Sequence, residues 1–170
     1  ALLREADRFA WLTNWGDARP IYASAEKAAL ASGDRRAATY ARFGRLRAEM
    51  QTRPLGALSE ELAVLLSRPL VANDTRLRLR GLTVKGDVDL EWDVLAAHRD
   101  WQQVRDLARQ LGDTPWENRA NGELGMIAFL RGNTGEATKA VQQAMDTARK
   151  LGDVGGELRY LSAIGNGLLL

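Results

Sequence analysis

The sequence predicts an all-α protein, and three observations support that prediction. Its 170 residues include 26 alanines and 26 leucines but only 11 valines and isoleucines combined. Ala and Leu are strong helix formers, whereas β-branched residues favour strands. Only four prolines occur. Apolar residues also recur at helical spacing, as in the series Ala137, Val141, Ala144, Ala148 and Leu151.

A repeat of about 40 residues runs along the chain. Leu111-Gly112-Asp113 recurs as Leu151-Gly152-Asp153, Arg119 recurs as Arg159, and a further copy ends at Gly33-Asp34. Glycine accepts the left-handed conformation that ends many helices, and aspartate caps the start of the next one. Each repeat is therefore predicted to contain a helix, a tight turn, a second helix and a Gly-Asp turn.

The repeat divides the chain into about four helical hairpins. Their predicted ranges are 1–33, 34–72, 73–113 and 114–153, followed by the first helix of a further repeat over 154–170. We expect these hairpins to stack as one repeat domain. The chain opens at Ala1 and ends on three leucines, so we expect it to be a piece of a longer protein.

One segment fits the helical pattern less simply than the others. Residues 76–80 alternate arginine and leucine, which is the period of a half-exposed strand. We favour a helix capped by Asn73 or Asp74, because a lone strand in a helical array would have no partner.

Several kinds of chemistry are excluded or disfavoured by composition. The chain has no cysteine, which excludes disulfides, thiol nucleophiles and thiolate metal sites, and His98 is its only histidine. We interpret His98 as a residue of a turn between two helices. No phosphate-binding, dinucleotide-binding or serine-hydrolase motif occurs. We therefore expect no catalytic residue, no cofactor and no metal. The absence of cysteine is compatible with any compartment.

A short acidic run and the tryptophans have structural interpretations. Acidic residues stand at alternate positions from Asp87 to Asp93, but the positions where a calcium loop needs Gly and Glu hold Trp92 and His98. We interpret these acids as residues of a helix's first turns, which the helix dipole favours. The five tryptophans are assigned to the repeat core rather than to ligand stacking.

Charge and hydropathy narrow the choice of partners. The net charge is +2, with an excess of basic residues in the N-terminal half, and 20 of the 24 basic residues are arginine. The segments 42–47 and 76–80 are basic, but we favour a solvated helix face or a site for an acidic peptide over nucleic acid. The chain contains no apolar run of 18 residues, so the sequence predicts no membrane-spanning helix.

The small and apolar positions Gly125, Ala128, Ala137, Val141 and Ala144 resemble the pattern of the tetratricopeptide repeat family. The period is longer than that family's 34 residues, and the terminal proline is missing. Long-period copies with Gly-Asp turns are similar to arrays in large bacterial signalling proteins. The resemblance implies an α-solenoid that recognises a protein, a peptide or a neighbouring domain without catalysis. The alternative that it leaves open is a regulatory or sensor module attached to a kinase, cyclase or DNA-binding domain.

By the same resemblance, the first helices of successive repeats line a concave groove. The candidate groove residues are Arg119, Gly122, Met126 and Phe129 in one repeat, Arg159, Ser162 and Asn166 in the next, and Tyr40 and Arg47 in an earlier one. We expect Arg119 and Arg159 to project into one groove and attract an acidic segment. The alternative is that they pair with Asp113 and Asp153 of the preceding turns.

Overall fold

The computed structural model describes the backbone of residues 1–167 and the side chains of residues 1–165. Helices cover 84% of the described residues, and these residues include no strand, so the all-α prediction is confirmed. The chain divides into an N-terminal unit, Ala1–Trp92, and a C-terminal unit that begins at Asp93. The division falls inside the hairpin predicted over 73–113.

In the N-terminal unit the helices are α1 (Leu2–Trp11), α2 (Trp15–Ala31), α3 (Arg35–Ala48), α4 (Leu55–Ser67), α5 (Pro69–Ala72) and α6 (Thr75–Leu90). Helices α1, α2 and α3 pack in sequence order, and α6 packs on α3, α4 and α5. Two apolar clusters form the core: one surrounds Tyr22 between the first three helices, and the other joins Phe43 and Leu46 to leucines of α4. Within this unit the arrangement is solenoid-like.

In the C-terminal unit the helices are α7 (Val94–Leu111), α8 (Thr114–Leu130), α9 (Thr134–Leu151) and α10 (Val154–Gly167). Each helix packs on the next one in the sequence, and α10 also contacts α8. The small residues predicted on the inner face of α9 are buried, with Ala137 3% and Ala144 2% exposed. Gly125 of α8 lies against α9, where a Cβ atom would be 2.9 Å from the Cβ of Ala140.

The Gly-Asp turns have the predicted geometry. Gly112 and Gly152 end α7 and α9 in the left-handed conformation, with φ of 64° and 69°. The Asp113 and Asp153 carboxylates then accept hydrogen bonds from backbone N–H groups in the first turns of α8 and α10, at 3.4 and 2.9 Å. Both turns therefore repeat one local solution, in which side chains satisfy N–H groups that a helix start leaves without partners.

The segment 76–80 belongs to α6, so the predicted helix is confirmed. Asp74 caps α6 by accepting a hydrogen bond from Leu77 N at 2.9 Å. Leu77 and Leu79 are both buried although they lie on different sides of the helix. The strand-like alternation arises because α6 packs on several helices at once.

Three sequence interpretations are wrong. Asp87 and Asp89 lie in the last turn of α6, not in the first turn of a helix. Arg47 contacts the Asp87 carboxylate, and Lys85 contacts that of Asp89. His98 lies inside α7, not in a turn. Trp11 and Trp92 are largely exposed, so the tryptophans are not all core residues. Helix α6 continues to Leu90 and α7 begins at Val94, so the helix boundaries differ from those expected, and packing leaves Trp11 and Trp92 uncovered.

Two features are absent from the described residues. None of the described helices has the length and apolar character that crossing a bilayer requires. Over the same part of the chain, no group of three or more acidic, histidine or cysteine side chains is arranged to hold a metal ion.

Candidate functional site

The predicted groove arginines of the C-terminal unit meet at one carboxylate. Arg159 Nη1 of α10 donates to Glu123 Oε1 at 3.1 Å, and Arg119 Nε of α8 lies 3.6 Å from the same oxygen. Glu123 is buried, whereas the side chains of Arg119 and Arg159 are 25% and 43% exposed. The structure thus brings the two arginines together, but around an acid of the same unit.

Arg119 is also held by aromatic rings. Its guanidinium carbon lies 5.3 Å from the ring centroids of both Trp101 and Trp116. Such cation–π contacts fix a guanidinium in place when it is partly removed from water. The carboxylates of Asp113 and Asp153 cap helices, and the ion pairs that span the Gly-Asp turns are instead Arg109–Glu117 and Arg149–Glu157.

The other predicted groove residues of this unit differ in accessibility. Gly122 is buried beneath the Tyr160 ring, which occupies the space that a Cβ atom would need. Met126 packs against the core cluster around Tyr160. Phe129 is partly buried, and Ser162 is exposed. The side chain of Asn166 lies outside the described residues.

Tyr40 belongs to a polar cluster in the N-terminal unit, which consists of Asp7, Tyr22, Tyr40 and Arg80. Both tyrosine hydroxyls donate to the Asp7 carboxylate, at 2.6 Å from Tyr22 and 3.1 Å from Tyr40. Arg80 Nη2 donates to the Tyr22 hydroxyl at 3.0 Å. Burial raises the pKa of both tyrosines, and the nearby Arg80 opposes that rise while Asp7 adds to it. The cluster joins four helices and pairs both tyrosine hydroxyls with Asp7, while Arg80 Nε is buried without a hydrogen-bond partner among the described residues.

Arg47 is engaged in a comparable way. Its Nε donates to Asp87 Oδ2 at 2.8 Å, and its guanidinium lies 4.7 Å from the ring centroid of Trp15. Tyr40 and Arg47, seven residues apart on α3, thus contact partners from their own unit. These contacts favour a role in holding α3 to its neighbours.

A cleft of about 700 Å³ in the C-terminal unit has the size of a ligand site. Helices α7 and α9 form its two walls and α8 its floor; we call it the C-terminal cleft. Its walls and floor carry mostly polar groups. They include His98, Gln102 and Arg105 on α7, Asn121 and Leu124 on α8, and Glu136, Gln143, Asp146 and Lys150 on α9.

Besides Asn133 at the start of α9, three amide side chains of the C-terminal cleft have unused hydrogen-bonding capacity. Gln102, Asn121 and Gln143 come from three different helices, and each amide offers both donors and an acceptor. Within the described part of the chain, none of the three makes a hydrogen bond. The nearby Asn118 differs, because its Nδ2 donates to the Ala144 carbonyl at 2.9 Å and holds α8 against α9.

Sequence reasoning missed this cleft and the buried acid Glu123. Glu123 stands four residues after Arg119, a spacing that signals a helical ion pair. The cleft residues carry no comparable signal, since scattered polar residues on the outer faces of helices are ordinary. Only the packing of α7 and α9 on α8 brings them together.

No family model matches the chain. No curated protein matches it at a significant level.

Proposed function

We propose that this protein is a non-catalytic interaction module of the tetratricopeptide-like kind, which binds an extended peptide segment of a partner protein in the C-terminal cleft. The observation that carries the proposal is the set of three amide side chains without partners, from three helices, around one cleft of peptide-binding size. An extended segment leaves one N–H donor and one C=O acceptor per residue without a partner. Amide side chains match both groups.

Charge supports the same choice of ligand. The cleft carries Arg105, Arg131 and Lys150 together with Glu136 and Asp146, so positive and negative groups nearly balance. A strongly charged polymer such as nucleic acid gains little from a balanced surface. A peptide backbone, which is polar and uncharged, suits it better.

The arginine pair is the weaker candidate for the binding site. Both guanidinium groups already contact Glu123, so an acidic peptide would have to compete with a carboxylate that is in place. Two residues of the predicted groove are also not free: Gly122 lies beneath the Tyr160 ring, and Met126 packs against the core cluster.

The test uses dodecapeptides selected on the protein from a displayed random library and then measured by titration calorimetry. Asn121→Ala combined with Gln143→Ala removes two amides from the cleft. With a net contribution of about 1 kcal/mol per hydrogen bond, affinity should fall about 10- to 100-fold. Gln51→Ala with Gln110→Ala is the matched control, because both amides are exposed and neither lines the cleft.

The proposal fails if selection yields no peptide that binds. It fails equally if both double variants bind the selected peptides as the parent protein does. Loss of binding in an Arg119→Ala variant alone would move the site to the arginine pair.

A further inference from the structure

We propose a second docking surface, on the N-terminal unit, that takes a partner segment in which aliphatic side chains lie between acidic ones. This surface is a cleft of about 590 Å³, with walls from α2 and from the α4–α5 junction and a floor from α3; we call it the N-terminal cleft. It is independent of the proposed peptide site, since it lies in the other unit and has a different lining.

The lining of the N-terminal cleft is mainly aliphatic. Ala38, Leu65 and Val71 form its buried base. At its edges Leu30 is 60% and Leu70 41% exposed, so accessible apolar surface adjoins the buried base. Covering these edges with aliphatic groups removes apolar surface from water, which favours association.

Two arginines give the cleft an uncompensated positive charge. Arg35 at the start of α3 and Arg68 at the α4–α5 junction both line it, and neither makes an ion pair within the described residues. The other two charged residues that line the cleft are paired. Arg42 binds Glu61 at 2.7 Å, and Glu26 binds Arg45 at 2.8 Å. The two unpaired guanidinium groups fit two carboxylates of the incoming segment.

These features select a peptide over other amphipathic anions. A fatty acid has the aliphatic chain but only one carboxylate, whereas the cleft has unpaired cations on two different helical elements. A nucleic acid backbone has the negative charges but lacks aliphatic groups for the base of the cleft. A segment with two acidic residues around leucines has both.

The probe is the fluorescein-labelled peptide AELLEALLEELA, measured by fluorescence anisotropy on the whole protein. Two control peptides replace every Glu with Lys or every Leu with Ser. The parent protein should bind the acidic leucine peptide saturably and neither control. Affinity should decrease as salt increases, because the attraction between exposed charges is screened.

The variant Arg35→Glu with Arg68→Glu should weaken binding at least tenfold. The matched control is Arg4→Glu with Arg76→Glu, which makes the same charge change at exposed arginines of this unit outside the cleft and should leave affinity within twofold. All four arginines are exposed, and circular dichroism checks that both variants stay folded.

Three results would overturn the proposal. Equal loss of binding in both double variants would show general charge attraction rather than a site. Absence of saturable peptide binding would refute the proposal that this cleft binds a peptide. Binding of decanoate instead would assign the cleft to a fatty acid. Concentration-dependent self-association that Leu30→Glu abolishes would show that a second copy of the chain covers this surface.

Discussion

Replacing Gly44 with alanine tests how tightly the N-terminal unit is packed. A Cβ at this position of α3 would lie only 2.6 Å from Cε2 of the Tyr22 ring and closer still to two other ring atoms, whereas real Cβ contacts are essentially never under 3.0 Å. The surrounding residues restrict movement of the Tyr22 ring away from this Cβ. Tyr22 is fully buried, and its hydroxyl is bonded to Asp7 and Arg80.

The magnitude follows from three opposing effects. Alanine favours a helix interior over glycine by about 0.5–1 kcal/mol. Overpacking costs about 1–3 kcal/mol, and a weakened hydrogen bond to an ionised carboxylate adds about 1.5–3 kcal/mol if the ring moves away from Asp7. Because Asp7 is partly exposed, we expect the lower end of that last range, about 1.5 kcal/mol, and a net loss of about 1.5–4 kcal/mol.

Urea denaturation followed by circular dichroism measures this loss. Gly16→Ala is the control in the same unit: its Cβ would meet only Asn14 Oδ1 at 3.9 Å, so stability should stay the same or rise by up to about 1 kcal/mol. If Gly44→Ala is as stable as the parent protein, the Tyr22 ring is free to move and the reasoning is wrong.

Three further predictions concern both units. All three tyrosines have a pKa raised above 10.0 by burial, so absorbance at 295 nm should show them ionising later in the native than in the unfolded protein. Because the folded pKa is the higher one, the stability that they contribute is present below pH 10 and is lost as the pH rises further; native titration near pH 10 would contradict this. Ala144→Leu should lower the free energy of unfolding, measured in urea, by about 1–3 kcal/mol, and Gln143→Leu should lower it by less than about 0.5 kcal/mol. Equal effects would mean that the inner face of α9 is misassigned. Arg119→Ala should lower thermal stability by about 1–2 kcal/mol. Arg159 is half-exposed, so Arg159→Ala should cost under about 1 kcal/mol. The reverse order would contradict the aromatic contacts of Arg119.

Much of the fold is encoded in short stretches of sequence. The Gly-Asp turns at 112–113 and 152–153, the cap at Asp74 and the apolar face of α9 all depend on residues within one or two helical turns of each other. Capping, backbone conformation and helical periodicity act over that distance, so the sequence predicts them directly. The all-helical class follows from the same local preferences.

The sites were decided by tertiary structure. Asp7, Tyr22, Tyr40 and Arg80 are separated by as many as 73 positions, yet they form one hydrogen-bonded cluster. Arg119 and Arg159, predicted to project into one groove, both contact Glu123, an acid that the sequence analysis did not single out. Both clefts exist only because elements from different parts of the sequence are packed around one helix and leave space between them. Local propensity fixes where each helix begins and ends, whereas the neighbours of an outward side chain depend on how helices dock, which no stretch of a few residues encodes.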